Sequence, residues 1–238
     1  MRYYLFSKFD RGIKIDDEGW YSVTPETIAK HIANKISEAL APKNPLVVLD
    51  SFCGVGGNLI QFAKKCGHCI GNDFDTVKVQ YTLHNAGIYS VCDKIQVLHK
   101  DYLELQQSDF TFPKVDAIFL SPPWGGTSYN LLQEYSLSHI YPDFTQVIMK
   151  SLEFSSNLML FLPKNTSIEE LVQYLLPFTR QFNKPTDKKR NELTLEIEQI
   201  YYGESCKALL VSCGELCKVD SREMVSYFIS TFCNKYDQ

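Results

Sequence analysis

Short apolar runs alternate with helical patterns along most of this 238-residue chain. The run from Leu46 to Leu49 contains no polar residue, which is typical of a strand buried on both faces of a parallel sheet. Because parallel strands need crossover connections, strands that alternate with helices predict a doubly wound α/β sheet. The predicted strands are 46–50, 69–73, 95–98, 115–120 and 158–162, and helices are predicted at 58–66 and 76–86.

The two ends of the chain differ from this alternating part. Residues 1–23 are aromatic and mixed in charge, without a clear period. Thr24 is predicted to cap a helix that has Pro25 at its first position and continues to Ala39. We therefore expect residues 1–44 to form a small N-terminal helical extension, or lid, and residues 45–238 to form the catalytic domain. In that domain, 193–202 and 208–213 are predicted to be strands that can pair as a hairpin.

Composition limits the compartment and the class of partner. The formal net charge of −4 is unfavourable for binding long nucleic acid over the whole surface. A local basic patch is compatible with it, and Lys188-Lys189-Arg190 is a candidate, although such runs are more often solvated loops. The chain shows no membrane-length apolar run, no secretory signal before its eight cysteines and no metal-site spacing of its histidines. An intracellular protein without a metal ion or a membrane span is expected.

A glycine-containing turn follows the first predicted strand, from Asp50 to Asn58. Its glycines allow a ligand to approach the backbone where a helix begins. The spacing Gly54-x-Gly56-Gly57 lacks the third glycine of a nicotinamide site, and Asp50 would repel a pyrophosphate. An acidic group there suits the cationic amino-acid end of S-adenosylmethionine. Asp73 ends the next strand, where a carboxylate can accept hydrogen bonds from ribose hydroxyls.

The stretch Ser121-Pro122-Pro123-Trp124-Gly125-Gly126 follows the fourth predicted strand. Two prolines prevent both continued strand pairing and an immediate helix, so a stiff loop is expected at the end of that strand. Oxygen atoms of such a loop can accept hydrogen bonds from a planar amino group while an aromatic ring stacks on the base that carries it. This pattern is typical of enzymes that methylate exocyclic amines of nucleobases, and we expect Trp124 to be exposed.

Several segments together match one known family. They are Phe6–Asp10, Gly12–Lys14, Glu18–Glu26, Asp50–Asn58, Gln61–Ala63, Leu120–Gly126 and Phe161–Asn165. Through them the chain resembles the trimethylguanosine synthases, which methylate the N2 amine of an RNA cap that already carries a 7-methyl group. The resemblance covers essentially the whole chain and is strongest over residues 5–126. It implies a Rossmann-like methyltransferase fold with S-adenosylmethionine as the cofactor.

The resemblance also implies a role for individual residues. The methyl donor would be held by Asp50, Asp73, Asp101, Gly54, Gly56 and Asn58. Phe6 and Thr24 would close over it from the N-terminal extension. Ser121 and Pro122 would accept hydrogen bonds from the amine, Trp124 would stack on 7-methylguanine, and Tyr129 and Lys164 would contact the cap. From position alone, Asp101 is either such a contact or a helix-capping residue.

The implied substrate is 7-methylguanosine-capped RNA, with small nuclear or small nucleolar RNA as its body, and the implied location is the nucleus, with presence in the cytoplasm allowed. The product would be a 2,7-dimethyl or 2,2,7-trimethyl cap. One departure from the family is that Lys164 stands where arginine is usual, which loses the bidentate geometry toward a phosphate. The match begins inside the family's N-terminal helical extension, so whether basic cap contacts upstream of Phe6 are present stays open. Two alternatives stay open, namely methylation of another nucleobase amine in RNA and a catalytically silent RNA-binding module.

Overall fold

The computed structural model describes residues 2–43, 45–183 and 191–218, and it contains one seven-stranded sheet. Across the sheet the strands follow the order β3-β2-β1-β4-β5-β7-β6. The first five are mutually parallel, whereas β7 pairs antiparallel with both β5 and β6. The strands are β1 (Leu46–Asp50), β2 (Gly67–Asp73), β3 (Ile95–His99), β4 (Ala117–Leu120), β5 (Leu158–Pro163), β6 (Glu196–Tyr202) and β7 (Ser205–Ser212).

Helices cover both faces of this sheet, so the predicted doubly wound α/β fold is confirmed. The described α-helices are α1 (Arg2–Leu5), α2 (Gly19–Ser22), α3 (Glu26–Ala39), α4 (Gly57–Lys65), α5 (Thr76–Tyr89), α6 (Phe144–Leu152), α7 (Ile168–Leu175) and α8 (Thr179–Phe182). One core lies under α3, α4 and α5, and the other lies under α6 and α7. Along β1, Val48 contributes to the first core and Leu49 to the second, because successive side chains point to opposite faces.

Several element boundaries differ from the predicted ones for local reasons. The second strand was predicted to begin at 69, but Gly67 is the first residue of β2 and pairs with Leu46. Its φ of +120° and the 2.6 Å that would separate an added Cβ from Pro45 Cβ explain why glycine is needed there. The predicted β6–β7 hairpin is confirmed, although β6 begins at Glu196.

Thr24 does not cap α3 as predicted. The helix begins at Glu26, and Pro25 occupies the N-cap position without a side-chain hydrogen bond. The Thr24 hydroxyl instead accepts a hydrogen bond of 2.9 Å from Asn58 Nδ2 at the start of α4. The residue therefore ties the N-terminal part of the chain to the glycine-containing turn.

The division of the chain at residue 44 stays a prediction. Helix α3 packs on α4, and its Ile32 and Ile36 are fully buried in the common core. The stretch Lys188-Lys189-Arg190 lies outside the described residues. None of the helices in the described ranges has both the length and the apolar character that a bilayer crossing requires.

A buried carboxylate, Glu26, anchors the first residues of the chain to this body. It accepts hydrogen bonds from the Ser7 amide at 2.5 Å, the Ser7 hydroxyl at 2.9 Å and the Tyr89 hydroxyl at 2.7 Å, and it pairs with Lys30 at 2.7 Å. Burial alone would raise the pKa of Glu26, but the bonds from Lys30, Ser7 and Tyr89 outweigh it and lower the pKa to about 2.

Glu26→Gln should destabilise the protein by about 1.5 to 3 kcal/mol near neutral pH, because it removes charge-assisted hydrogen bonds. The folded-state pKa lies below the ordinary value of 4.5, so this stabilisation is complete above pH 4.5 and is lost as the pH falls toward 2. Urea unfolding of both proteins between pH 2 and 7 measures the difference. Glu38→Gln, at an exposed position on the same helix, is the control. If the difference in unfolding free energy between Glu26→Gln and the wild type did not decrease as the pH is lowered, the assignment would be contradicted.

Candidate active site

A cavity of about 600 Å³ opens at the carboxyl ends of β1, β2 and β4. Ligands of open α/β sheets bind at this edge, because the loops that follow parallel strands all meet there. Its walls include residues of the N-terminal segment between positions 16 and 24, the turn after β1, the end of β2 with the start of α5, the residues after β3, the proline-containing loop after β4, and Tyr141 with Pro142. Of the predicted site residues, those that line it are Thr24, Gly54, Asn58, Asp73, Asp101, Ser121, Pro122, Trp124 and Tyr129.

The turn after β1 has the backbone that its glycines permit. Gly54 and Gly56 have φ values of +53° and +92°, a region that residues with a Cβ rarely adopt. Gly54 lines the cavity and donates its amide to Asp73 Oδ2 at 2.8 Å. Gly56 lies behind the cavity wall, where a Cβ would approach Thr82 of α5 to 3.3 Å, so its predicted contact with the donor is not part of the observed surface.

Asp50 is almost completely buried beneath this turn. Neither of its carboxylate oxygens has a hydrogen bond of normal geometry from the described residues, and the side-chain oxygen of buried Asn58 is also unpaired. Burial raises the pKa of Asp50 to about 8, the negative Asp73 adds to the shift, and the amides of Leu59 and Phe52 offset part of it. An unpaired buried carboxylate is costly for a protein to maintain, which indicates that a cationic ligand group or water is expected nearby.

Asp73 and Asp101 stand at the carboxyl ends of neighbouring strands. Asp73 accepts the amides of Gly54 and Asp75 at 2.8 and 3.0 Å, which fixes both oxygens while leaving lone pairs toward the cavity. Burial raises its pKa. Asp101 accepts the Leu103 amide at 2.9 Å and so caps a short 3-10 helix, and it also lines the cavity. The two roles that the sequence left open for Asp101 are thus compatible.

The loop after β4 places an amine-accepting corner beside an aromatic ring. Ser121 and Pro122 line the cavity directly after the strand, and the Ser121 hydroxyl has no hydrogen-bond partner among the described residues. The indole of Trp124 meets the Tyr129 ring edge-to-face at a centroid distance of 5.2 Å. Its Nε1–H donates to the Phe161 carbonyl at 3.2 Å. The indole is therefore held in one orientation.

Trp124 was expected to be exposed, and this is wrong. The ring is half-buried and packs partly against both cores, with the Phe161 ring 5.7 Å away. The N–H of an indole that packs this closely needs a hydrogen-bond acceptor inside the protein, and the Phe161 carbonyl is that acceptor.

Besides Asp50 and Gly56, two further predicted residues do not line the cavity. Phe6 is fully buried beside Tyr89 in the core, so it supports the N-terminal segment from below instead of closing over a ligand. Lys164 is exposed just after β5 and does not line the cavity. Its neighbour Asn165 is bonded to the Tyr129 carbonyl at 3.0 Å, which places Lys164 beside the rim.

Sequence reasoning missed an ion pair where the N-terminal segment meets α5 at the cavity. Lys78 Nζ of α5 lies 2.6 Å from Glu18 Oε2 of the N-terminal segment, and both residues line the cavity. Burial would lower the pKa of Lys78, but pairing with Glu18 raises it. Glu18 belongs to a segment that matched the family, whereas nothing in the sequence distinguishes Lys78 from an exposed helical lysine.

The strand order is that of a fold which class I methyltransferases share. A protein of Listeria monocytogenes described as a class I S-adenosylmethionine-dependent methyltransferase has the same fold, with a TM-score of 0.60 over 93% of this chain and 69% of that one. The two are 16% identical, so the likeness concerns the fold alone. The described residues contain no group of three or more His, Cys, Asp or Glu side chains arranged to hold a metal ion.

The family follows from sequence similarity. A family model described as RNA cap guanine-N2 methyltransferase matches residues 46–216. The trimethylguanosine synthase of Schizosaccharomyces pombe is 39% identical over 176 residues, which are 73% of this chain and 72% of that protein. That of Saccharomyces cerevisiae is 37% identical over 171 residues, 70% of this chain and 54% of that protein, so the chain spans about half of the second relative.

The chain belongs to the RNA cap guanine-N2 methyltransferase family, and it is an S-adenosylmethionine-dependent enzyme. The predicted family, fold class, enzyme class and cofactor are thereby confirmed. The residues present fit that cofactor: the unpaired Asp50 and Asn58 oxygens lie beneath a glycine turn, and Asp73 ends β2.

Asp50→Asn should stabilise the ligand-free protein at alkaline pH. The folded-state pKa of about 8 exceeds the ordinary 3.8, so folding favours the protonated carboxyl, and the associated stability is lost as pH rises toward 8. Because Asp50→Asn removes the charge, it should raise the free energy of unfolding by roughly 1 to 3 kcal/mol at pH 9. Thermal unfolding from pH 5 to 9 checks this, with Glu104→Gln at an exposed position as the control. If the melting temperatures of the wild type and Asp50→Asn changed with pH in parallel, the prediction would be refuted.

Proposed function

We propose that the protein transfers methyl groups from S-adenosylmethionine to N2 of the 7-methylguanosine cap of small nuclear or small nucleolar RNA, in the nucleus. The products would be 2,7-dimethyl- and then 2,2,7-trimethylguanosine caps. One observation carries the proposal: the Ser121-to-Trp124 loop faces the same cavity as Asp73 and Asn58. An amine held by the loop would therefore lie next to a donor held by the glycine turn.

The donor half of the cavity is suited to a cationic cofactor with a ribose. S-adenosylmethionine, when bound, supplies a methyl group activated by a positively charged sulfur. Asp73 would accept its ribose hydroxyls, Asp101 its adenine amino group, and Asp50 with Asn58 would face the amino-acid end. Thr24, which is bonded to Asn58, would hold the N-terminal segment against that end. Every charged group in this set is acidic, as a cationic ligand requires.

The acceptor half would orient a poor nucleophile. The lone pair of guanine N2 is delocalised into the ring, and hydrogen bonds from N2–H to the Ser121 hydroxyl and the Pro122 carbonyl would turn it toward the donor. No strong base is needed before attack, because the proton can leave after the N–C bond forms. Most of the rate acceleration would then come from alignment of the two reacting atoms.

Trp124 would supply selectivity for a 7-methylated base. Methylation at N7 makes the base cationic, and a cation stacked on an indole gains roughly 0.5 to 2 kcal/mol over a neutral ring. The hydrogen bond to Phe161 and the contact with Tyr129 fix the indole before the base arrives. Tyr129 and Lys164, at the rim, would contact the rest of the cap.

The N7 methyl group should raise kcat/KM for a cap analogue by roughly two- to thirtyfold, and Trp124→Phe should make this increase smaller while keeping some activity. Phenylalanine is the cleaner substitution, because Trp124→Ala would also remove core packing. Steady-state kinetics with 7-methyl-GTP and GTP give both ratios.

Trp20→Phe is the matched control, since Trp20 packs on Phe9 outside the cavity and should leave the ratio unchanged. Equal wild-type values for the two analogues would contradict the cap assignment. They would favour methylation of guanine N2 within an RNA strand.

A further inference from the structure

Helix α5 carries a row of polar side chains, of which the first, Lys78, lines the cavity and the others are buried behind its wall. Lys78, Thr82, Asn85 and Tyr89 are spaced by four, three and four residues, which places them along one face of the helix. The row lies between two parts of the chain that are far apart in sequence, namely the N-terminal segment (residues 2–23) and the glycine turn (residues 51–57).

Three members of the row each hold one of these two parts. Lys78 pairs with Glu18, and the Tyr89 hydroxyl accepts the Lys8 amide at 3.3 Å, so both hold the N-terminal segment. The Thr82 hydroxyl donates to the Gly54 carbonyl at 2.6 Å and holds the glycine turn.

Asn85 holds both parts at once. Its side-chain oxygen accepts the Lys14 amide at 2.9 Å, and its Nδ2 donates to the Lys14 carbonyl at 2.8 Å and to the Val55 carbonyl at 2.9 Å. The side chain is completely buried, and both hydrogens of the amide group are used. Aspartate has no second donor and leucine has no polar atom, so neither can reproduce this three-way connection.

We propose that Asn85 is a positioning residue for the methyl donor, which fixes the N-terminal segment against the glycine turn so that the two walls of the donor half stay in register. The proposal rests on the proposed function, since it assigns these walls to the donor. Residues 16–24 reach the cavity from one side and Gly54 from the other. Without the Asn85 connection the walls would be joined at the Thr24–Asn58 bond but not at Lys14.

The test uses S-adenosylhomocysteine, the demethylated donor, as a binding probe. Calorimetry should show at least tenfold weaker binding to Asn85→Ser than to the wild type. Trypsin should cleave the wild type after Arg11 and Lys14 more slowly when the probe is bound, because binding holds the segment against the turn. In Asn85→Ser, saturating probe should give no such protection.

Tyr89→Phe is the matched control. It keeps the ring but removes the hydroxyl that holds the N-terminal segment, and it leaves the glycine turn untouched. It should therefore be cleaved faster without ligand, yet bind the probe within twofold of the wild type and retain protection. Asn85→Ser binding within twofold, with normal protection, would overturn the proposal.

A measurement on the wild type covers the case in which Asn85→Ser does not fold. Hydrogen exchange should slow at the Lys14 amide, which Asn85 accepts, when the probe binds. Unchanged exchange at Lys14, together with slowed exchange in the glycine turn, would overturn the inference. If the wild type does not bind the probe at all, the proposed function fails, which is a distinguishable result.

Discussion

Pairing of β1 with both β2 and β4 determines where the chemistry can occur. Because the three strands are parallel, they end at the same edge, and the residues that follow them meet there. Asp50, Asp73 and Ser121 are separated by more than twenty residues along the chain, yet each stands at or just after one of these strand ends. The site therefore depends on a strand register that the buried apolar side chains of β1 and β4 hold in place.

Charge is distributed unevenly around the cavity. Asp73 and Asp101 line the side proposed for the donor, Asp50 is buried beneath it, and Lys78 is paired with Glu18. The acceptor side is aromatic and nearly uncharged. This division suits the proposed ligands, since both are cations: acidic groups attract the sulfonium of the donor, and aromatic rings can stack on a 7-methylated guanine. It is also compatible with a net charge of −4, since in the proposed complex the base would enter the cavity and the phosphates would stay outside it.

Most of the fold could be predicted from sequence, because β4, β5 and the first four residues of β1 are apolar runs, and loops that contain glycine or proline separate them. The loop after β4 was predicted for the same reason, since Pro122 and Pro123 leave few alternatives. Burial was harder to predict. Trp124 was expected to be exposed, but its N–H finds the Phe161 carbonyl 37 residues away. Asn85 was missed entirely, because its partners Lys14 and Val55 are distant and nothing nearby marks it as buried.

The most direct test of the account locates the transferred methyl group. The protein is incubated with 7-methyl-GTP and S-adenosylmethionine carrying a ¹³C-labelled methyl group, and the product is examined by mass spectrometry and NMR. The account predicts label on N2 of the guanine, as one methyl group or two. Label on ring N1 or on a ribose oxygen, or no transfer by a protein that binds the donor, would contradict it.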